Sequence, residues 1–130
     1  MNKAVKYLKD CKTFYLATDD EGQPRVRPFG AVTEFNGKVY ICTNNTKKCF
    51  KQMMNNPKVE ITAVNGGTWL RICGEVCVDS DPEARKAVLE DNPSLKNMYS
   101  LDDGIFEVLY LKDAIATFYS FTSEPEIISL

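Results

Sequence analysis

Histidine is absent from all 130 residues, and that absence restricts the chemistry more than any residue that is present. Without it the chain cannot assemble a Ser-His-Asp or Cys-His nucleophilic centre, a histidine acid/base pair or a histidine metal site. Chemistry falls to Lys, Arg, Cys, Tyr and carboxylates, or to a bound cofactor. Long apolar runs are missing too, since none approaches the roughly 20 residues of a membrane-spanning helix. The start, MNKAVKYLKDCK, lacks the apolar core of a signal peptide, so the chain reads as cytoplasmic, with no membrane partner. Five cysteines is an odd number and none form a Cys-x-x-Cys pair, so neither a disulfide scaffold nor a zinc site is expected. Cys73 and Cys77 fall about 13 Å apart if they share one strand, beyond the roughly 7 Å limit for a disulfide. They read as reduced, partly buried thiols. No repeat, linker or low-complexity tract is visible.

What is present is the composition of one ordinary domain spanning residues 1–130, with 44% hydrophobic and 26% charged residues. A folded chain of this length has a radius of gyration of about 14 Å, enough for one core but not for two domains around a cleft. A sizeable ligand site is therefore expected on the surface or at a subunit interface. The net charge of −2 hides an asymmetry: residues 1–65 carry eleven Lys/Arg against six Asp/Glu, and residues 66–130 carry five against twelve. The basic half can meet the acidic half within one fold, mate across a two-fold dimer, or serve an anionic small ligand. A pI near 5.2 and the lack of any nucleic-acid motif argue against DNA or RNA as partner.

Val5, Leu8 and Cys11 recur at helical spacing, predicting a short amphipathic helix over residues 2–11. Thr13–Thr18 reads as a strand, Asp19-Asp20-Glu21-Gly22 as a turn, and Arg25–Phe35 as one long strand ending at Asn36-Gly37. Asn-Gly is a strong hairpin signal, because both central residues of a type I′ turn need positive φ. Lys38–Thr43 should therefore pair with the strand before it. Asn44–Thr46 offers capping side chains to a helix carrying Phe50, Met53 and Met54, which stops at Asn55-Asn56-Pro57. Strands follow at Lys58–Val64 and Thr68–Asp79, separated by a Gly66-Gly67 turn. Ser80-Asp81-Pro82-Glu83 starts a helix over Asp81–Asp91, and residues 92–104 read as irregular or as a short helix. Ile105–Leu111 and Ile115–Phe121 read as a final hairpin around Lys112-Asp113, and the tail from Thr122 carries little signal. Six short antiparallel strands in so small a chain favour a closed or partly closed barrel, mainly β with two to four short helices.

Val39–Asn56 is the most informative stretch: an apolar strand runs through a polar loop into a helix whose first turn holds Lys47 and Lys48. A helix N-terminus attracts anions through its free N–H groups and dipole. Lysine there opposes the dipole, so two of them suggest an anion, although a solvated, normally capped helix fits these residues equally well. Arg25 and Arg27 share a strand face, and Arg27 could reach the same anion; a pair of exposed strand arginines is the alternative. On Thr68–Asp79, Leu70, Ile72, Val76 and Val78 face the core while Trp69, Arg71, Cys73 and Glu75 take the other side. Trp69 beside Arg71 fits either dimer packing or a flat ligand. Phe118, Tyr119 and Phe121 read as core, with Phe118 on the opposite face from the other two. Cys42 and Cys49 read as packing residues, not nucleophiles.

Taken in order, GQPRVRPFG, VYICTNNTKKCFKQMMNNPKVEI and WLRICGEV, followed by PSLKNMY and FEVLYL, resemble the pyridoxamine 5′-phosphate oxidase-related family of FMN-binding split barrels, in particular its small flavin-binding members. The likeness covers nearly the whole chain, and Thr-x-x-Thr-Lys-Lys followed by Asn-Pro is its most specific part. The resemblance implies a six-stranded split β-barrel and a homodimer with FMN at the subunit interface. It implies that Arg27, Pro28 and Phe29 lie along the flavin, that Thr43 contacts the cofactor, and that Lys47 and Lys48 hold the phosphate with Asn44 and Thr46 in support. Trp69 and Arg71 match the strand that approaches the cofactor from the dimer seam. True oxidases of the family are longer and end in a segment with Arg and His, whereas this sequence ends Glu124-Pro125-Glu126-Ile127-Ile128-Ser129-Leu130, which argues against vitamin B6 oxidation. The missing histidine argues equally against the family's histidine-using nitroimidazole-reductase route. The function so implied is an FMN-dependent oxidoreductase passing electrons from a reduced nicotinamide to a small acceptor, with no catalytic side chain required. A non-catalytic flavin-binding or stress-related protein, or a barrel for another flat cofactor such as a deazaflavin or haem, is the alternative.

Overall fold

Residues 2–130 are described by the computed structural model. An opening helix, α1 (Lys3–Cys11), is capped by Asn2, whose side chain accepts from the N–H groups of Ala4 and Val5. Strands β1 (Phe14–Asp20), β2 (Gln23–Phe29), β3 (Thr33–Phe35) and β4 (Lys38–Asn44) follow, then α2 (Lys48–Asn55), β5 (Lys58–Asn65), β6 (Thr68–Asp79) and α3 (Pro82–Asp91). A 3₁₀ turn at Pro93–Asn97 leads to β7 (Phe106–Ser120) and β8 (Glu126–Ser129). All eight strands join one antiparallel sheet in the order β2-β1-β5-β6-β7-β4-β3, with β8 also alongside β7. The two end strands do not pair with each other, so the fold is mainly β, an antiparallel barrel left split.

Three strand expectations need correction. Arg25–Phe35 is not one strand: it breaks at Gly30–Val32, and β2 and β3 stand at opposite ends of the sheet. The Asn36-Gly37 turn forms as expected, with positive φ at both residues, but the strand it joins to β4 is only the short β3. Arg25 and Arg27 therefore pair with β1, not β4. The expected hairpin at Lys112-Asp113 is a bulge inside one 15-residue strand, β7, which pairs with β6 on both sides of it. Gly74 alone there opposes Asp113 and Ala114, Asp113 takes up a φ of 50°, and the extra residue is absorbed without reversing the chain. The tail forms β8, paired with Ile115–Phe118, which brings the strands to eight.

Alternation fills the barrel. Leu16, Ile61, Leu70, Ile72, Leu109 and Ala116 point inward, and Val5, Leu8 and Met53 close the ends from α1 and α2. Val78, expected in the core, is instead 39% exposed, since β6 has passed the barrel by then. A second core lies outside the barrel wall, where Ala84, Val88 and Leu89 of α3 and Leu95 pack on Tyr40, Cys42, Phe106 and Val108. β4 is consequently buried on both faces, Val39 and Ile41 inward and Tyr40 and Cys42 outward. The outer core is tied to α1 and β3 through Asp91, which accepts hydrogen bonds from Lys9 Nζ (2.6 Å) and Thr33 Oγ1 (2.8 Å). Burial alone would raise the Asp91 carboxyl, and these two partners outweigh it and hold it below the ordinary carboxylate value.

The bulge sets a test. A Cβ on Gly74 would stand 2.8 Å from Ala114 Cβ and 2.9 Å from its Cα, so backbone must move. Gly74→Ala is expected to destabilise by about 1–3 kcal/mol. Gly67→Ala, which meets nothing within 4 Å, should leave the midpoint of thermal unfolding unmoved, as circular dichroism would show.

Candidate functional site

At the end of β4 the chain leaves the sheet through Asn44–Thr46 and enters α2. Asn44 Oδ1 accepts from the backbone N–H (2.8 Å) and hydroxyl (2.7 Å) of Thr46, closing a tight polar turn. This differs from the helix cap expected of these residues. The capping position falls to Lys47, which offers no side-chain acceptor, whereas α1 and α3 are capped by Asn2 and Asp81. Among the described residues, no side chain accepts from the first-turn N–H groups of α2, and Lys47 and Lys48 beside them are both exposed. Positive charge and free donors thus accumulate where the dipole is already positive.

This helix start opens onto a groove of about 560 Å³. One wall is the Pro28–Ala31 segment, where the chain leaves β2 on its way to β3. The floor is Cys42 and Thr43 of β4 with Lys47 and Cys49 at the α2 end, and the far wall is the run from Asp91 through Leu95 with Met98 and Tyr99. Of the residues singled out in the sequence, Pro28, Phe29, Thr43 and Lys47 meet in this one place. Asn44 and Thr46 shape the loop beneath it. Arg27 points to the other side of β2 and braces it against α2: its guanidinium donates to Leu16 O (3.2 Å), Thr18 Oγ1 (2.9 Å) and Gln52 Oε1 (2.7 Å). Arg25 pairs with Asp20. Trp69 and Arg71 do not line the groove; they stand on the outer face of β6, Arg71 held by Glu60 at 2.7 Å.

That outer face carries a correction. Tyr119 and Phe121 are not core: Trp69 stacks on Tyr119 at 5.2 Å between ring centroids and meets Phe121 at 5.0 Å, and Phe121 is 84% exposed. Register lines Pro28 up with Tyr15, Thr62, Arg71 and Thr117 across β2, β1, β5, β6 and β7. Arg71 is three strands from Pro28, roughly 14 Å, on the face toward which the Pro28 wall looks. Exposed Val26, Tyr15, Val64, Ile115 and Ile127 extend this face into a broad apolar surface.

Sequence reading missed the far wall. Residues 92–104 carry no periodicity, and PSLKNMY within them entered only through the family resemblance, with no site residue assigned on it. Tyr99 is fixed by its ring against Phe106 (5.2 Å) and by the Asn44 side chain beside its hydroxyl. Burial pushes its hydroxyl above the ordinary tyrosine value, so it is protonated and can donate. Burial likewise pushes the Cys42 thiol up to about 12 and raises Cys49, against the opposing pull of Lys47 on both and of Arg27 on Cys49. Both thiols are thus poor nucleophiles, as packing residues should be.

The family model described as "Pyridoxamine 5'-phosphate oxidase" matches residues 1–103. The chain belongs to that family. Among solved structures of this fold, a NimC/NimA family protein from Clostridium acetobutylicum is 56% identical, with a TM-score of 0.95 over 98% of this chain and 90% of that one. General stress protein 26 from Bacillus anthracis str. Sterne is 18% identical, with a TM-score of 0.75 over 97% of this chain and 95% of that one. A heme binding protein from Mycobacterium smegmatis is 16% identical, with a TM-score of 0.72 over 99% of this chain and 59% of that one. The last two show likeness of fold alone. No curated protein matches the chain at a significant level. Among the described residues of this member of the oxidase family, no helix is long and apolar enough to cross a membrane, and no group of three or more Cys, Asp or Glu is placed to hold a metal.

Burial of the groove thiols has a measurable consequence. At pH 8 the thiolate fraction of Cys42 should be roughly a thousandfold below that of an ordinary cysteine. Titration with a disulfide reagent is expected to leave Cys42 and Cys49 unmodified in the native protein and to reach both only after unfolding in guanidinium. The raised values keep the sign fixed: reactivity grows with pH but lags behind the unfolded chain throughout the alkaline range.

Proposed function

We propose that the protein is an FMN-binding flavoprotein, and that the flavin serves a reductase taking electrons from a reduced nicotinamide to a small acceptor. The observation that carries this reading is the uncapped, doubly basic start of α2 opening onto a groove of about 560 Å³, in a family whose members commonly bind flavin. The residues fit the cofactor's chemistry. A terminal phosphate finds free N–H groups and two ammonium groups at one end, while Pro28, Phe29, Ala31 and Leu95 offer apolar contact to a flat ring at the other. Thr43, on the floor between them, supplies a hydroxyl. FMN, when bound, supplies the redox chemistry itself. The chain's residues bind, orient and exclude water, and no side chain need move a proton, in keeping with the absence of histidine.

Arg27, in this reading, sets the angle between β2 and α2 from behind the site. The broad apolar face that carries Trp69, Tyr119 and Phe121 is the natural mate for a second copy, and the Pro28 wall looks toward it. A homodimer with one flavin near each seam follows, Trp69 and Arg71 approaching from the partner.

Two outcomes are expected. The protein purified without added cofactor should show a flavin spectrum and release FMN on heating, identified by mass. Lys47→Ala combined with Lys48→Ala should weaken FMN about ten- to a hundredfold, the range for losing a charge-assisted contact; unchanged affinity would remove the phosphate assignment, and a Soret band would shift the reading to haem. For the assembly, sedimentation should give a dimer at micromolar concentration and a monomer for Trp69→Glu. A wild-type monomer that still holds FMN would contradict a site at the seam.

A further inference from the structure

We propose that the far wall of the groove, Pro93–Tyr99, selects the electron acceptor, and that it fits a small, planar, uncharged quinone whose carbonyl oxygen accepts a hydrogen bond from the Tyr99 hydroxyl. The inference rests on the flavoprotein reading and deepens it by naming the acceptor's class. The groove has two chemically different ends. Lys47 and the open start of α2 form the cationic one, taken up by a phosphate. Away from it the far wall is lined by Pro93, Ser94, Leu95 and Met98, with the Tyr99 hydroxyl reaching back toward Asn44. Asp91, which also lines the groove, is already paired with Lys9 and Thr33, and Lys96 of the same segment does not line it. An anionic acceptor finds no partner there, and a cationic one finds only a carboxylate already engaged.

What this wall offers instead is flat apolar area and a placed donor. Tyr99 cannot swing freely, because its ring packs on Phe106 and its hydroxyl stands beside Asn44, itself pinned by Thr46. Met98 is 64% exposed on the groove's rim, where a flexible thioether can lie over an aromatic face. A planar ring with an acceptor oxygen matches both features. The overall step balances without another reactant: reduced nicotinamide, quinone and one proton give oxidised nicotinamide and hydroquinone, two electrons being transferred, with the proton drawn from solvent.

The test compares an uncharged naphthoquinone with ferricyanide, an anionic acceptor, on flavin-loaded protein. Tyr99→Phe removes one hydroxyl, and Met98→Ala alters an exposed side chain that the fold does not need. Relative to the KM for ferricyanide on the same variant, Tyr99→Phe is expected to raise KM for the naphthoquinone about three- to tenfold, and Met98→Ala to raise it about twofold or more. Independently of turnover, the naphthoquinone should perturb the flavin absorption band of the oxidised protein, and Tyr99→Phe should weaken that titration by the same factor. Equal effects on both acceptors, no effect on either, or loss of flavin from Tyr99→Phe would overturn the assignment while leaving a flavoprotein. A wild-type chain that takes up no flavin would overturn the flavoprotein reading and this one with it.

Discussion

Burial of β4 on both faces is the constraint from which the site follows. A strand with no face turned to water is apolar along its middle, as Val39 to Cys42 are, so the chain becomes polar again only at the strand's end. That change comes abruptly at Asn44, and the turn it makes with Thr46 throws the chain into α2 over the end of the barrel. Thr43 and the helix start are therefore fixed by two cores at once, one inside the barrel and one under α3. A site mounted on rigid elements in this way holds its geometry without help from a ligand.

Electrostatics then divides the groove. Most cations of the N-terminal half are paired or exposed away from it: Arg25 with Asp20, Lys9 with Asp91, Lys6 with Asp10. Arg27 is consumed in bracing β2 against α2. What remains at the groove is Lys47 with Lys48 nearby, on a helix whose own cap is missing. The basic half of the chain thus contributes a local feature at the groove.

Much of this was readable in advance. The existence of α2, the Asn36-Gly37 turn, the start of α3 to within a residue and the limits of β6 were legible because each depends on neighbours within a few residues. The break at Gly30–Val32 was not, since Val26, Ala31 and Val32 continue an apolar pattern and only the arrangement of the sheet tells that two strands are needed. Lys112-Asp113 has turn chemistry, and Asp113 takes a positive φ, but the chain does not reverse: the extra residue is absorbed as a bulge opposite Gly74. β8 owes its place to the free edge of β7, which no local signal in residues 126–129 records. For the site, the residues on β4 and α2 were visible by type and spacing. The wall at 93–99 was not, because what makes it a wall is Phe106 and α3 behind it.

The groove also sits at the seam where the split barrel fails to close, and its lining runs from Pro28 to Tyr99. Neither half of the chain can form it alone, so it comes into being only with the complete set of long-range pairings. Occupancy is in consequence thermodynamically linked to the whole molecule: a ligand held there binds the folded chain and not the unfolded one, and its concentration above its dissociation constant adds directly to global stability.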